Sequence, residues 1–349
     1  MSTATENSGR PAGQRARLLA PRILRFEPMY LAQCAPATDE IVAATEYSAI
    51  SIGTEKAAYV GLPALRAGPA YPRLVGYCNA ARVLRVGTDV KEISPDMRIL
   101  THQSHQSFFA CKESDVLAVI PSDLSSREAS LAYIAHIGLT GLQRAGLRAG
   151  ESVAVQGLGP VGLATIALSR AMDAGNVIAI GNSQSRNERA LDLGATSAFD
   201  ASDAQLCNAF ARCTNGKLAD IVISTVNSWS AWQTTLEIVR AFGRIAVLGF
   251  PGRGEGLPDF NPLASEPFYT KQPTLISAGL AAGPGPWGDG DSVQHCRKNI
   301  AFLLGLMQSG RLPLAQLITH EVPWSELETI YRLAADGDKS LVTAVLRWQ

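Results

Sequence analysis

A run of glycines, Gly157-Leu158-Gly159-Pro160-Val161-Gly162, stands between a short apolar stretch, Val153 to Gln156, and an amphipathic stretch from Val161 to Met172. A chain that turns this tightly from a buried strand into a helix has few folds open to it. Gly157 allows the tight turn, Gly159 lets the backbone approach a bound pyrophosphate, and Gly162 lets the helix pack closely on the sheet. The helix opening at Pro160 and Val161 offers free N–H groups and a partial positive charge to phosphates. The bare spacing also occurs as a tight turn in other α/β folds, but its position between strand and helix points to a dinucleotide.

The segments that follow support this. Val177 to Ile180, Asp220 to Val226, Arg244 to Gly249 and Thr274 to Ala278 read as strands, with helical patterns such as Asn187 to Leu193 between them. Apolar runs alternating with helices are the mark of parallel βαβ units, so a Rossmann-type sheet of six strands is expected. Upstream, Ala20 to about Ser122 contains short apolar runs separated by turn residues, including Glu40 to Thr45 and Leu74 to Leu84. That spacing predicts an all-β, barrel-like unit. The stretch Gly283 to Asp291 is dense in turn formers and reads as a loop before a helix, Gln294 to Gln308. The tail carries a helix, Trp324 to Asp336, and a β-like run, Leu341 to Trp348.

The end of the second Rossmann strand selects the dinucleotide, because an acidic residue there would bond a ribose 2′-hydroxyl. Gly181 occupies that place, followed by Asn182, Ser183 and Arg186, which suit a 2′-phosphate. The cofactor expected is NADP(H); the alternative is that Arg186 is a solvated first-turn residue.

Lys and Arg together number 31, as do Asp and Glu, so no charge excess favours nucleic acid or an anionic membrane. A small, mostly uncharged partner fits better. The chain of 349 residues is 46% hydrophobic, enough for two domains to bury cores. Met1 to Arg17 lack the apolar segment of a secretory signal and read as a flexible leader. No apolar run approaches the roughly 18 residues of a spanning helix, and a cytoplasmic protein is expected. The six cysteines, Cys34, Cys78, Cys111, Cys207, Cys213 and Cys296, form no CxxC pair, which argues against a disulfide framework and a structural zinc lobe.

Leu74-Val-Gly76-Tyr-Cys-Asn-Ala-Ala-Arg-Val-Leu84, Gly87-Thr-Asp-Val90, Ile137-Gly-Leu-Thr140-Gly141, the glycine turn and Leu193-Gly-Ala195 occur together in this order. On these stretches the chain resembles the medium-chain dehydrogenases/reductases over about residues 18 to 349. The resemblance implies an α/β protein with a GroES-like β-barrel catalytic domain (18–130 and 310–349) and a doubly wound Rossmann domain (131–309). It also implies a cleft between the domains for nicotinamide and substrate, and a homodimer paired through Thr274 to Ala278. Thr140 would then sit beside the nicotinamide carboxamide or the phosphates. Val226, Leu248, Gly249 and Ala278 follow later strands and would complete the pocket.

Zinc-dependent members of that family carry a Cys before a Gly-Ser/Thr-Asp turn, a Gly-His-Glu motif, and a further ligand ahead of the Rossmann domain. Here Ile52 stands in the first place, Tyr77 and Cys78 replace the His and Glu of the second, and His136 occupies the third. A catalytic zinc needs about three protein ligands, so loss of the metal is the simplest inference. A set of Cys78, His105 and His136 is the alternative. Without zinc, charge developing on a carbonyl oxygen needs hydrogen bonds and a proton donor. Tyr77, Thr54, His105 and His136 lie on segments that face the nicotinamide in relatives. Tyr77 is the first choice for donor or acid, against the reading of a tyrosine that merely fills the metal's volume. Of His102 and His105, three apart, at most one should line the cleft, and His105 is preferred. Glu55 matches an acidic position that supports the site from behind; otherwise it pairs with a buried Arg. The expected reaction is reductive hydride transfer from NADPH to a ketone, an imine or an activated C=C bond, in biosynthetic metabolism. Similarity of Ile52-Gly-Thr-Glu55 to the bacteriochlorophyllide dehydrogenase branch supports the biosynthetic setting. The alternatives are a zinc alcohol or polyol dehydrogenase with atypical ligands, and a catalytically silent dinucleotide-binding protein.

Overall fold

The computed structural model describes residues 12–30, 35–63, 70–263, 265–279 and 292–348. Its first part holds eight strands: β1 (Gly13–Ala20), β2 (Ile23–Met29), β3 (Glu40–Ala49), β4 (Arg73–Leu74), β5 (Asn79–Val86), β6 (Arg98–Thr101), β7 (Phe108–Lys112) and β8 (Val116–Val119). β1 lies between β2 and β4 in a small antiparallel sheet, while β3, β5, β6 and β8 run side by side in a larger one, with β7 also on β3. The β3–β5 register shifts at Val42/Ala43 and at Thr45/Tyr47. Such irregularities bend a strand and let the sheet curl around its apolar face. Residues 13–17, assigned from the sequence to the leader, form part of β1, and Ala16 and Leu18 pack against Tyr59 and Tyr331.

Two elements depart from the all-β expectation. Helix α1 (Ile52–Val60) follows β3, burying Glu55, Ala57 and Tyr59 and ending at Gly61 in the left-handed conformation. The expected run Leu74 to Leu84 is not one strand, because residues 75–78 separate β4 from β5. Gly76 turns the chain there with φ +85°, and a Cβ on it would lie 2.6 Å from the His105 ring. Only glycine leaves room for that imidazole.

Two helices, α2 (Ser126–Ala129) and α3 (Ala132–Arg144), lead into the second sheet. It alternates β9 (Val153–Gln156), α4 (Pro160–Ala171), β10 (Val177–Gly181), α5 (Gln184–Asp192), β11 (Ser197–Asp200), α6 (Leu206–Cys213), β12 (Ala219–Ser224), α7 (Trp229–Ile238), β13 (Val239–Val247) and β14 (Thr274–Ser277). All pairings in it are parallel, in the order β11-β10-β9-β12-β13-β14. β9 and β10 are buried along their whole length, which is why they read as continuous apolar runs. The strand order reverses between β9 and β12, and the crevice at the carboxyl ends of those strands is where such sheets take ligands.

The chain then forms α8 (Ser292–Gln308), β15 (Ile318–Pro323), α9 (Leu327–Asp336) and β16 (Thr343–Arg347). β16 pairs with β3, so the C-terminal segment completes the first sheet. The turn-rich stretch 283–291 lies outside the described residues. Among those described, no helix is long and apolar enough to cross a membrane.

α3 packs on both α4 and α8. Its contact with α4 depends on Gly138, where an added Cβ would run into Thr165 Oγ1, itself fixed by a bond to the Val161 carbonyl. Gly138→Ala is therefore expected to lower stability by about 1–3 kcal/mol, through overpacking, in urea denaturation.

Candidate functional site

The three glycines of the turn have three different surroundings. Gly157 adopts φ +93°, and a side chain on it would strike Thr225 and Val226. Gly162 admits no Cβ because the Gly157 carbonyl oxygen occupies that space, so α4 crosses the end of β9 at backbone distance. Nothing lies within 4 Å of a Cβ built on Gly159, the N-cap of α4. Pro160 takes the first helical position, where its missing N–H is no loss, and Val161 and Gly162 follow with first-turn N–H groups. An open face above N–H groups and a helix N-terminus suits a pyrophosphate.

Other cofactor candidates surround this turn. Thr225 Oγ1 donates to the Gln156 carbonyl at 2.9 Å and also reaches Gly157 O, which brings Val226 beside the turn. The Leu248 and Gly249 N–H groups both bond the Ser224 carbonyl, and the Ala278 N–H bonds Val247 O. Leu248 lies 3.2 Å from the Cβ position of Gly141, so α3 runs past these strand ends. Thr140 is buried and its hydroxyl donates to the His136 carbonyl within α3.

At the end of β10, Gly181 has no room for an acidic side chain. A Cβ there would sit 2.6 Å from both Leu158 and Asn187. Asn182 is exposed, and Ser183 Oγ lies 3.0 Å from Ser185 Oγ. Arg186 is half-buried and its guanidinium is engaged, donating to Leu341 O at 2.6 Å and to the carbonyls of Asp338 and Lys339. The structure thus places Arg186 against the C-terminal turn, between the solvated and the phosphate-binding expectations. Arg189 of the same helix also holds a C-terminal carbonyl, that of Gln316.

The places where the resemblance implies metal ligands in relatives form an aromatic cluster. The Tyr77 ring packs edge-on to Tyr133, with centroids 5.5 Å apart, and Tyr133 contacts His102 at 4.4 Å and His136 at 5.4 Å. The Tyr77 hydroxyl donates to Ser51 Oγ and also neighbours Thr54. Burial, then the adjacent Cys78, pushes its pKa up, so the phenol keeps its proton. Burial also holds the Cys78 thiol well above its ordinary range, with Glu55 and Cys296 adding to the effect. His136 is pushed down to about 3 by burial and by the neighbouring His295 and His102. Its Nδ1 faces Asn299 Nδ2 at 3.2 Å.

These groups do not fit a catalytic zinc. Ile52 has no donor atom, a phenol stands at Tyr77 in place of an imidazole and already bonds Ser51, and one His136 nitrogen faces an amide. Among the described residues, no three His, Cys, Asp or Glu side chains are grouped to hold a metal.

His105 and Glu55 lie behind this cluster. His105 is fully buried, with Nε2 2.9 Å from Glu55 Oε2 and Nδ1 2.8 Å from Ser48 Oγ. Ser48 accepts from Trp348 Nε1, and Glu55 also accepts from Tyr331 at 2.6 Å and from the Ser51 N–H at 2.7 Å. Both nitrogens of His105 are occupied, and the exposed His102 is the imidazole beside Tyr133. Glu55 has a histidine and a tyrosine for partners in place of an arginine. Sequence reasoning did not single out Ser51, Tyr133, Tyr331 or Asn299; the bonds that recruit Tyr331 and Asn299 span more than 150 residues.

A family model described as zinc-binding dehydrogenase matches residues 160–281. The chain is 28% identical over 65% of its length to the L-threonine 3-dehydrogenase of Bacillus licheniformis, but spans only 59% of that protein. It is 25% identical over 80% of its length to the NADP-dependent isopropanol dehydrogenase of Thermoanaerobacter brockii, spanning 85% of it. The fold matches that of alcohol dehydrogenase TADH from Thermus sp. ATN1 with a TM-score of 0.76, covering 96% of this chain and 99% of that one at 22% identity.

His136 also ties stability to pH. Its pKa in the folded chain, about 3, lies below the ordinary 6.5, so between those values the unfolded chain binds a proton that the folded one does not. Its contribution is complete above pH 6.5 and declines on acidification by up to about 1.4 kcal/mol per pH unit. His136→Gln is expected to flatten this acid limb in urea midpoints measured from pH 7 to 4.5; an unchanged slope would contradict the assignment.

Proposed function

The chain belongs to the medium-chain dehydrogenase/reductase superfamily, and from that premise we propose that it is an NADPH-dependent reductase that works without zinc. Its substrate is a small unsaturated organic molecule, a ketone, an imine or an activated C=C bond. The observation that carries the reading is the β9–α4 turn, with open space above Gly159, at the point where the strand order reverses. The aromatic cluster built from Tyr77, Tyr133 and His136 supports zinc independence, because packed rings stand where the family resemblance would have metal ligands.

NADP(H) is favoured over NAD(H) because the end of β10 carries no acidic group and has Arg186 one turn beyond it. The NADP-dependent relative aligned over 80% of the chain agrees with this choice. A 2′-phosphate offers Arg186 charge-assisted bonds stronger than those from the carbonyls of residues 338–341. When bound, the nicotinamide supplies the hydride. The chain orients the two reactants, excludes water and stabilises the oxygen or nitrogen of the substrate. Tyr77, beside Thr54, turns its hydroxyl proton from Ser51 Oγ to that atom. Glu55 and His105 hold α1, and with it Ser51 and Thr54, in place. We further propose a cytoplasmic homodimer joined through the edge strand β14, whose Leu275 is exposed.

Titration of the protein with NADPH and NADH, followed by nicotinamide fluorescence, tests the reading. NADPH is expected to bind roughly ten-fold tighter or more, and Arg186→Ala to remove most of that preference. Equal binding would overturn the choice of NADP(H), and absent binding the whole reading. One zinc per purified chain would overturn zinc independence in favour of a dehydrogenase with atypical ligands.

A further inference from the structure

Asn299 on α8 is 4% exposed and meets two histidines and a glutamine. Its amide pairs reciprocally with that of Gln143, each nitrogen donating to the other's oxygen at 2.9 Å. That exchange uses one of the two N–H bonds on Asn299 Nδ2. The second is shared by His136 Nδ1 and His295 Nε2, both 3.2 Å away. An amide nitrogen only donates, so each imidazole nitrogen facing it has to be the unprotonated one. On His136 that nitrogen is Nδ1, which leaves the ring proton on Nε2.

We propose that His136 is a catalytic residue that polarises the substrate's carbonyl through Nε2–H, and that Asn299 is the positioning residue that holds it in this tautomer. The proposal rests on the reductase reading and deepens it, naming the atom that stabilises charge and making the substrate a carbonyl compound. His136 lies on the helix that joins the aromatic cluster to the strand ends, where an uncharged donor can stabilise a developing oxyanion. Tyr133, one turn earlier on α3, links it to Tyr77, and Thr140 and Gly141, one turn later, bring the same helix past Leu248 at the strand ends.

In the reductive direction the carbonyl carbon gains the hydride, and the oxygen takes the electron pair of the C=O π bond. A neutral imidazole stabilises that oxygen by hydrogen bonding and keeps its own proton. The proton that completes the alcohol comes from the Tyr77 hydroxyl or from water. Because His136 does not ionise near neutral pH, the donor is in the same state throughout the working range.

The test uses the whole protein, labelled with ¹⁵N in its histidines and saturated with NADP⁺, and acetone labelled with ¹³C at the carbonyl. Long-range ¹H–¹⁵N correlation, assigned with His136→Gln, is expected to give the Nε2–H form of His136. Asn299→Asp preserves side-chain size and turns the facing atom into an acceptor, so it is expected to move the proton to Nδ1. The acetone carbonyl resonance should shift downfield on binding, and should lose at least half of that shift in both variants. A wild-type His136 in the Nδ1–H form, or a carbonyl shift indifferent to both substitutions, overturns the proposal. The wild-type spectrum decides the tautomer even where a variant fails to fold. NADPH binding and acetone reduction in the unsubstituted protein report separately on the reductase reading, so failure of one is distinguished from failure of the other.

Discussion

Glu55 is the point on which the first half of the molecule is hung. Its buried carboxyl group gathers the Ser51 N–H, the Tyr331 hydroxyl and the His105 ring, which come from the start of α1, from the C-terminal helix α9 and from the loop before β7. Through His105 and Ser48 the same network reaches Trp348. A donor left without its partner here would cost about 1–3 kcal/mol, so each bond constrains the others. The result is a chain that leaves the first sheet after β8, builds a complete second sheet, and returns to a prepared set of acceptors.

The region around Tyr77 and His136 is filled by rings. Tyr77 and Tyr133 fill the region with rings in edge-to-face contact, and the remaining polar groups, the Tyr77 phenol and the His136 imidazole, are kept uncharged by burial. On the reading proposed above, such a site would hold a developing oxyanion by donors already oriented, which need little rearrangement as charge develops.

The Rossmann sheet was legible in the sequence because its determinants are local. Val153 to Gln156 was placed to the residue, and the glycine turn after it states its own geometry, since Gly157, Gly159 and Gly162 each answer a separate steric demand. The barrel was legible as a class, while α1 was hidden in a segment read as β because its buried side, Glu55, Ala57 and Tyr59, alternates as a strand would. The site was legible only at positions the family resemblance marked. His136 was named but not its partner, because Asn299 lies 163 residues away and no spacing rule reaches that far. The position of His105 behind the cluster was hidden for a similar reason. Gly76 makes room for the His105 ring and Glu55 anchors it, and neither fact is visible in the segment from Thr101 to Phe108.

The guanidinium of Arg186 binds carbonyls of a turn that leads directly into β16, and Arg189 holds Gln316 just before β15. Helix α5 therefore registers the parallel sheet against the last two strands of the other sheet. Arg186 and Leu341 are 155 residues apart, yet neither can change without altering the surroundings of the other. A substitution that withdraws the Arg186 guanidinium leaves the carbonyls of the 338–341 turn without their donor and loosens the seating of β16.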